Sequence, residues 1–330
     1  MKFIVFCPDA NTGGPFALLQ LAKAINDLGH NCEILFYNIA KIKSKKTNLH
    51  FFQNSTVNGS FSVKYKRKPR IKLPNLEYKI CDNLNVNDII IFPEVALDHS
   101  TNFLSLGFKK RVFWWLSWDN APLGNLTKFN NIVNLNNSTH IFQSKYAQIE
   151  ANRLGFTGQM VSDYTIFNKN MNEDKPIKTN DICFLEGKAP GTEKLIQDLN
   201  EKFSIISIKK MSQLEVINTL KKSKFFIDFG SHPGKDRIPR EAALHYCIPL
   251  VHNVGAAKYS EDVPLPKSLK LDTTTISDSK KLILKLNELS SKIEVTLKNI
   301  ELYINGVKNE RDIFYQEVED FLLTTYNEEL

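Results

Sequence analysis

The chain has 330 residues, 42% of them hydrophobic and 24% charged, and a net charge of +7. That length exceeds one ordinary core and suits two domains, and the composition is that of a globular chain rather than a disordered or fibrous one. No run approaches the roughly 18 apolar residues of a membrane span, and the apolar stretch in "MKFIVFCPDA" is too short for a signal peptide. Five cysteines (Cys7, Cys32, Cys81, Cys183, Cys247) are widely spaced, odd in number and without metal-ligand spacing. They imply a reducing compartment, so the expected location is cytoplasmic. The positive charge is concentrated in "KIKSKK" (41–46) and "KYKRKPRIKL" (64–73). Such runs are either a solvated face or an attraction for anionic headgroups and phosphates, which would place the protein at the inner face of a membrane.

The first 40 residues read as one unit. "KFIVFC" (2–7) is a continuous apolar run stopped by Pro8, the pattern of a buried parallel strand. A turn-rich loop, "DANTGGP", leads into a helical stripe of Leu18, Leu21, Ala22 and Ile25 that Gly29 closes. "CEILFY" (32–37) is the second strand, so a doubly wound sheet begins here. Residues 40–85 are polar and basic and read as an irregular insertion with one hairpin. "DIIIFPE" (88–94) and "RVFWWLSWDN" (111–120) return to buried strands with polar ends, and "THIFQSKYAQIEANRLG" (139–155) is a strand followed by a helix.

Periodicity lapses over 161–181, which reads as a linker. The pattern then restarts with "DICFLEG", "TEKLIQDLNE", "FSIISIK", "SQLEVINTLKKS" and "KFFIDFG", alternately strand and helix. "IPLVHN" is a further strand, and 277–293 and 309–326 are helices, the last with Phe314, Val318, Phe321 and Leu322 on one stripe. The fold class is therefore α/β, with two Rossmann-like domains facing a cleft. Domains are expected over 1–163 and 164–308, followed by a helical segment over 309–330.

The most informative stretch is "GSHPGKDRIPREAALHYCIPLV" (230–251). Pro239 suits the first turn of a short helix, whose N-terminus would present amides and a positive dipole end to an anion. Lys235, Arg237 and Arg240 are cations suited to phosphate oxygens, with Arg240 open to pairing with Asp236 instead. Gly230 and Gly234 allow close backbone approach, and Glu241 could accept from ribose hydroxyls. A charged loop that merely caps a helix would have the same punctuation.

This stretch resembles the donor-nucleotide loop of GT-B glycosyltransferases, especially the retaining type with a Glu-x7-Glu motif. Arg240, Glu241, Ala242, Cys247 and Pro249 match that pattern. The resemblance implies that 1–163 is an acceptor-side domain, that 164–308 is a nucleotide-sugar-binding domain, that the helix over 309–330 packs back on the first domain, and that Glu241 holds the nucleotide ribose. The first glutamate of the motif would fall at Pro233 and is missing, with His232 and Lys235 beside the gap. "LEGKAPGTEKLIQDL" (185–199) is similar to the family loop whose cations meet the donor diphosphate, which implies Lys188 and Lys194. Lys194 also reads as a solvated helix-start residue. "NTGGP" (11–15) looks like the family's glycine loop, which implies Gly13 and Gly14, although a plain tight turn has the same composition.

An inverting transfer needs a base for the acceptor hydroxyl, and Asp119 after "WWLSW" is the candidate, with Asp9 and Glu94 at similar strand ends. An Asp-Asn turn is the other reading of Asp119. Trp114, Trp115 and Trp118 read as mostly core, with Trp118 able to stack on a sugar. The expected function is transfer from a nucleotide-sugar to a glycan or lipid-linked acceptor in surface polysaccharide assembly, with no cofactor and no metal. Another enzyme on the same fold, such as a phosphosugar epimerase or polyol-phosphate transferase, is the alternative. So is a non-catalytic nucleotide or anionic-lipid binder. A nucleic-acid partner is not expected, because the basic run at 64–72 contains only Tyr65 as an aromatic.

Overall fold

The computed structural model describes residues 2–41, 51–53, 59–71, 76–122, 135, 138–167, 176–188 and 191–327. The chain forms two compact units, Met1–Asp163 with Asp312–Leu330, and Tyr164–Arg311.

The first unit begins with β1 (Lys2–Cys7), α1 (Gly13–Asp27) and β2 (Asn31–Phe36). The polar stretch that follows holds β3 (Ala40–Lys41), β4 (Phe51–Gln53), β5 (Ser60–Tyr65), β6 (Lys79–Ile80) and β7 (Asn83–Asn85). Then come β8 (Ile89–Pro93), α2 (Leu97–Ser105), β9 (Arg111–Trp115), β10 (Thr139–Phe142), α3 (Lys145–Arg153) and β11 (Gly158–Met160). Seven of these strands form one parallel sheet in the order β11-β10-β9-β8-β1-β2-β6. Parallel strands are covered on both faces, which is why β1, β8 and β9 are unbroken apolar runs. Each fully buried aromatic here, such as Phe6, Phe92, Trp114 or Trp115, contributes about 2–3 kcal/mol of burial.

The described residues of the basic insertion form more regular structure than their composition suggests. Strands β3, β4 and β7 all pair antiparallel with β5, forming a small second sheet rather than a lone hairpin. Phe61 and Val63 of β5 point into the core of the unit, which is how a polar segment earns a fixed place. The end of the chain also belongs to this unit. Phe314, Val318, Phe321 and Leu322 are buried, Phe321 meets Phe3 edge-on at 6.3 Å, and Glu317 accepts from the Ser162 amide at 2.7 Å.

The second unit has β12 (Asn180–Leu185), α4 (Glu193–Asn200), β13 (Ile205–Ile208), α5 (Gln213–Lys222), β14 (Ser223–Asp228), α6 (Arg237–Leu244), β15 (Ile248–His252) and β16 (Lys270–Leu271). Helices α7 (Thr273–Ser277), α8 (Ser279–Ser291), α9 (Ile293–Asn299) and α10 (Glu301–Asn327) complete it, α10 continuing into the first unit's terminal segment. The parallel order is β13-β12-β14-β15-β16. Helix α5 starts where the sequence marks it: Ser212 and Glu215 form a reciprocal capping box. In this order the chain reverses direction across the sheet between β12 and β14, so the loops leaving those two strands flank a crevice at their carboxyl ends.

Candidate functional site

Asp228 is the last residue of β14 and is almost wholly buried. One carboxylate oxygen accepts the Gly230 amide at 2.9 Å, and the other accepts the Lys188 ammonium at 2.6 Å. Lys188 lies in the loop after β12, so this ion pair ties together the two loops of the crevice. The ammonium also donates to Asp236 at 2.9 Å. Burial works against the Lys188 charge, but the two carboxylates outweigh it and hold its pKa above the ordinary lysine value. Gly230 is what lets the lysine cross: a Cβ there would stand 2.5 Å from Lys188 Cε.

Asp236 is the N-cap residue of α6, yet its side chain makes no capping bond. Its Oδ2 is directed instead at His232 Nδ1, at 2.6 Å, and at Lys188. Burial alone would raise the Asp236 pKa, but His232 and Lys188 carry it well below the usual range. The first turn of α6 is therefore left open towards an anion. Helix α6 begins at Arg237, two residues earlier than Pro239 marks, with Pro239 still inside the first turn.

His232 is buried and has a φ of 52°, a left-handed conformation that costs a non-glycine residue about 1–2 kcal/mol. It is held from both sides. Its Nδ1 meets Asp236, and its carbonyl accepts the Ala256 amide at 2.9 Å. Gly255 packs against that carbonyl so closely that a Cβ would lie 2.2 Å from it. Nε2 of His232 is buried with no partner among the described residues. A buried nitrogen left unpaired costs about 1–3 kcal/mol, and strain held in place this way gathers at functional sites.

Arg240 corrects its expected role. It is only 2% exposed, and its three guanidinium nitrogens are spent within the unit. They donate to the Asp236 carbonyl, to Glu310 Oε2 at 2.9 Å, and to the Lys235 carbonyl at 3.0 Å. It builds the loop rather than facing a phosphate. Glu310 also receives the Thr165 amide and lies 3.7 Å from Lys235 Nζ. Glu241 is buried, and its Oε1 lies 3.0 Å from Arg237 Nε. Burial raises the Glu241 pKa, against the opposing pull of Arg237 and Arg240. Lys188, Lys235, Arg237 and Arg240 thus stand one for one against Asp228, Asp236, Glu241 and Glu310.

Beside this network, at the carboxyl edge of the same sheet, lies a cavity of about 690 Å³ lined by Gly191, Lys194, Phe229, His252, Ile276 and Ser279, among others. Lys194 is exposed on its rim. Gly234 is buried within the 230–236 loop. Asp228, His232 and Asp236 bring three potential metal-ligand atoms within 4.8 Å of one another, with the Lys188 ammonium already bonded to two of those residues. Asp228, Phe229 and His252 were not singled out by the sequence. The signal for Asp228 was present, since a carboxylate ending a buried strand needs a partner.

In the first unit, Gly13 and Gly14 form the first turn of α1, and Thr12 before them makes no side-chain cap. A Cβ on Gly13 would meet nothing within 4 Å, so packing does not require the glycine. Asp119 is exposed on a 3-10 turn, Trp118–Asn120, and accepts the Tyr146 hydroxyl at 2.6 Å. Trp118 is core: it is 7% exposed and packs on Trp115 with ring centroids 5.0 Å apart. Asp9 is engaged by the amides of Arg70 and Ile71 and by the Arg67 guanidinium. Glu94 is buried and accepts the Leu116 amide at 3.0 Å. The basic run 41–46 lies outside the described residues apart from Lys41, and in 64–73 the described residues end at Ile71.

No protein-family model matches the chain, and no curated protein matches it. Solved structures do. Sucrose-phosphate synthase from Thermosynechococcus elongatus aligns over 99% of this chain and 98% of its own, at 10% identity and a TM-score of 0.60. A glycosyltransferase from Rickettsia africae ESF-5 aligns over 99% and 98%, at 12% identity and 0.58. The T4 phage BGT in complex with its UDP-glucose substrate aligns over 97% and 98%, at 11% identity and 0.51. At such identities the likeness is one of fold, and it extends over both units. The chain has the GT-B fold, the two-unit Rossmann-like architecture of those glycosyltransferases.

Proposed function

We propose that this protein is a glycosyltransferase that moves a sugar from a nucleotide-activated donor to a glycan or lipid-linked acceptor, in the assembly of a surface polysaccharide. The observation that carries this reading is the crevice between β12 and β14, with its strained His232, its open α6 N-terminus and the adjoining cavity of about 690 Å³. A nucleoside diphosphate fits that place: its flat base and ribose suit the cavity, and its anionic oxygens suit the helix start. The T4 enzyme, similar in fold, was solved with UDP-glucose.

In this reading Lys188, Lys194, Lys235 and Arg237 hold the diphosphate with the backbone at Gly234. His232 Nε2 meets the donor, and Glu241 receives the ribose hydroxyls. Arg240 shapes the loop. Gly13 and Gly14 leave room for substrate at the start of α1. The acceptor hydroxyl oxygen bonds to the anomeric carbon as the bond from that carbon to the diphosphate oxygen breaks. The nucleoside diphosphate leaves with the electron pair, and the hydroxyl proton passes to the Asp119 carboxylate. No metal is invoked, because Lys188 already supplies positive charge between Asp228 and Asp236. None of the described helices is long and apolar enough to cross a membrane. A peripheral position at an anionic membrane surface would rest on 41–46 and 64–72.

The test is a thermal-shift screen with UDP, GDP, CMP, ADP and TDP, followed by calorimetry on Glu241→Ala. One base should raise the melting temperature, and the substitution should weaken that nucleotide by roughly one to three orders of magnitude. A flat response to all five nucleotides would overturn the proposal.

A further inference from the structure

The basic segment 64–70 is neither loose nor randomly oriented. It continues β5 past Tyr65, and it is fixed at successive points. The Tyr65 hydroxyl donates to the Cys81 carbonyl at 2.6 Å, and the Lys66 amide donates to the Ile39 carbonyl at 2.8 Å. The Arg67 guanidinium donates to Asp9 Oδ2 at 2.5 Å, while the Arg70 and Ile71 amides donate to Asp9 Oδ1 at 2.7 and 2.9 Å. Asp9 has a buried side chain and stands just past the end of β1. Burial would raise its pKa, but the Ile71 amide, Arg67 and the Arg70 amide hold it below the ordinary carboxylate value, so the clamp stays charged.

The clamp sorts the side chains. Lys64, Lys66, Lys68 and Arg70 are exposed, whereas Tyr65, Arg67 and Pro69 between them are half-buried. Four cations therefore project as one row. A fold that spends a buried carboxylate on orienting the row is holding positive charge for a partner. Asp9, which holds the row, follows the carboxyl end of β1, and Asp119 follows β9, two strands along in the same parallel sheet.

We propose that this row binds the acceptor, and that the acceptor is a linear polyanion, a glycan chain carrying repeated phosphate or carboxylate groups. This deepens the glycosyltransferase reading and rests on it. A single file of cations matches charges repeated along one chain. The one aromatic of the segment is turned inward with its hydroxyl bonded, so it offers neither an anchor for a bilayer nor a platform for a nucleobase.

The probe is long-chain inorganic polyphosphate, titrated against the intact protein by fluorescence anisotropy over a range of salt. Lys66→Ser, Lys68→Ser and Arg70→Ser together should weaken binding about tenfold or more and flatten the slope of log K against log salt by about 2. The matched control removes three exposed lysines of the second unit, Lys202→Ser, Lys222→Ser and Lys298→Ser, and should bind nearly as the parent does. Equal weakening in both triples would mean that only net charge matters, and would overturn the proposal. So would a row variant that keeps its polyphosphate affinity but loses binding to vesicles of 3:1 phosphatidylcholine and phosphatidylglycerol, which would assign the row to a membrane. Nucleotide affinity, measured on the same samples, should be unchanged in both triples. Its absence from the parent protein would count against the glycosyltransferase reading and not against the row.

Discussion

Two buried carboxylates with raised pKa values, Glu241 and Glu94, lie at the carboxyl edges of the two sheets. A carboxylate whose pKa rises on folding gives the fold nothing by being charged, so its charge is kept for something other than stability. For Glu241 this supports a ligand-facing role: its pairing with Arg237 does not offset its burial, and Glu241→Ala should cost the empty protein little. Burial pushes the Glu94 carboxyl up to about 7, against the amides of Leu116 and Ser117. Folded protein therefore binds more protons than unfolded chain between about pH 4.5 and 7, and stability falls as pH rises through that window. Glu94→Gln keeps an acceptor for Leu116 and removes the titration. Relative to the parent, the variant should gain on the order of 3 kcal/mol between pH 5 and pH 8, read from urea unfolding at each pH. Parallel stability curves would show that Glu94 does not titrate in this range.

The elements were legible where burial wrote them into the sequence. Strands β1, β8, β9, β12, β14 and β15 are apolar runs because a parallel strand is covered on both faces. The small antiparallel sheet was not legible, because β3, β4 and β7 are two or three residues long and their Lys and Asn neighbours carry no period. The site was legible in part. The 230–241 loop announced itself by composition, but the Lys188–Asp228–Asp236–His232 network joins residues up to 48 positions apart, and no local pattern encodes which cation meets which carboxylate. Arg240 reads as a phosphate contact because only its charge is visible in the sequence, whereas its bonds to Glu310 and to the Lys235 and Asp236 carbonyls are not. Gly230 shows the two loops acting as one element. Gly230→Ala would drive a methyl group into the Lys188 stem, and the lysine would leave Asp228. A loss of roughly 1–3 kcal/mol of stability, together with weaker nucleotide binding, should follow. If stability fell while nucleotide affinity stayed intact, Lys188 would be a structural tie only.

At the scale of the whole molecule, the chain leaves its first unit at Asp163 and returns to it at Asp312, after the second unit is complete. The returning segment is part of the first unit's core. Phe314, Val318 and Phe321 are fully buried, the Tyr315 hydroxyl reaches Asp27 at 2.6 Å, and Glu317 receives both the amide and the hydroxyl of Ser162. The first unit therefore cannot finish folding until the segment from Asp312 onward has been made, whereas all of the second unit's chain is already present by then. This separates the two units' stabilities from each other. Phe321→Ala removes a buried ring from contact with Phe3 and should cost the first unit about 3–5 kcal/mol. Residues 164–311 keep their own hydrophobic cores, so nucleotide affinity should not change. Calorimetric scans with and without the nucleotide that shifts the parent protein would read both effects. The substitution should lower the melting of the first unit, and the ligand should still raise that of the second. If Phe321→Ala abolished nucleotide binding at temperatures where the second unit remains folded, the donor site would depend on the first unit, and its assignment to the second unit alone would fail.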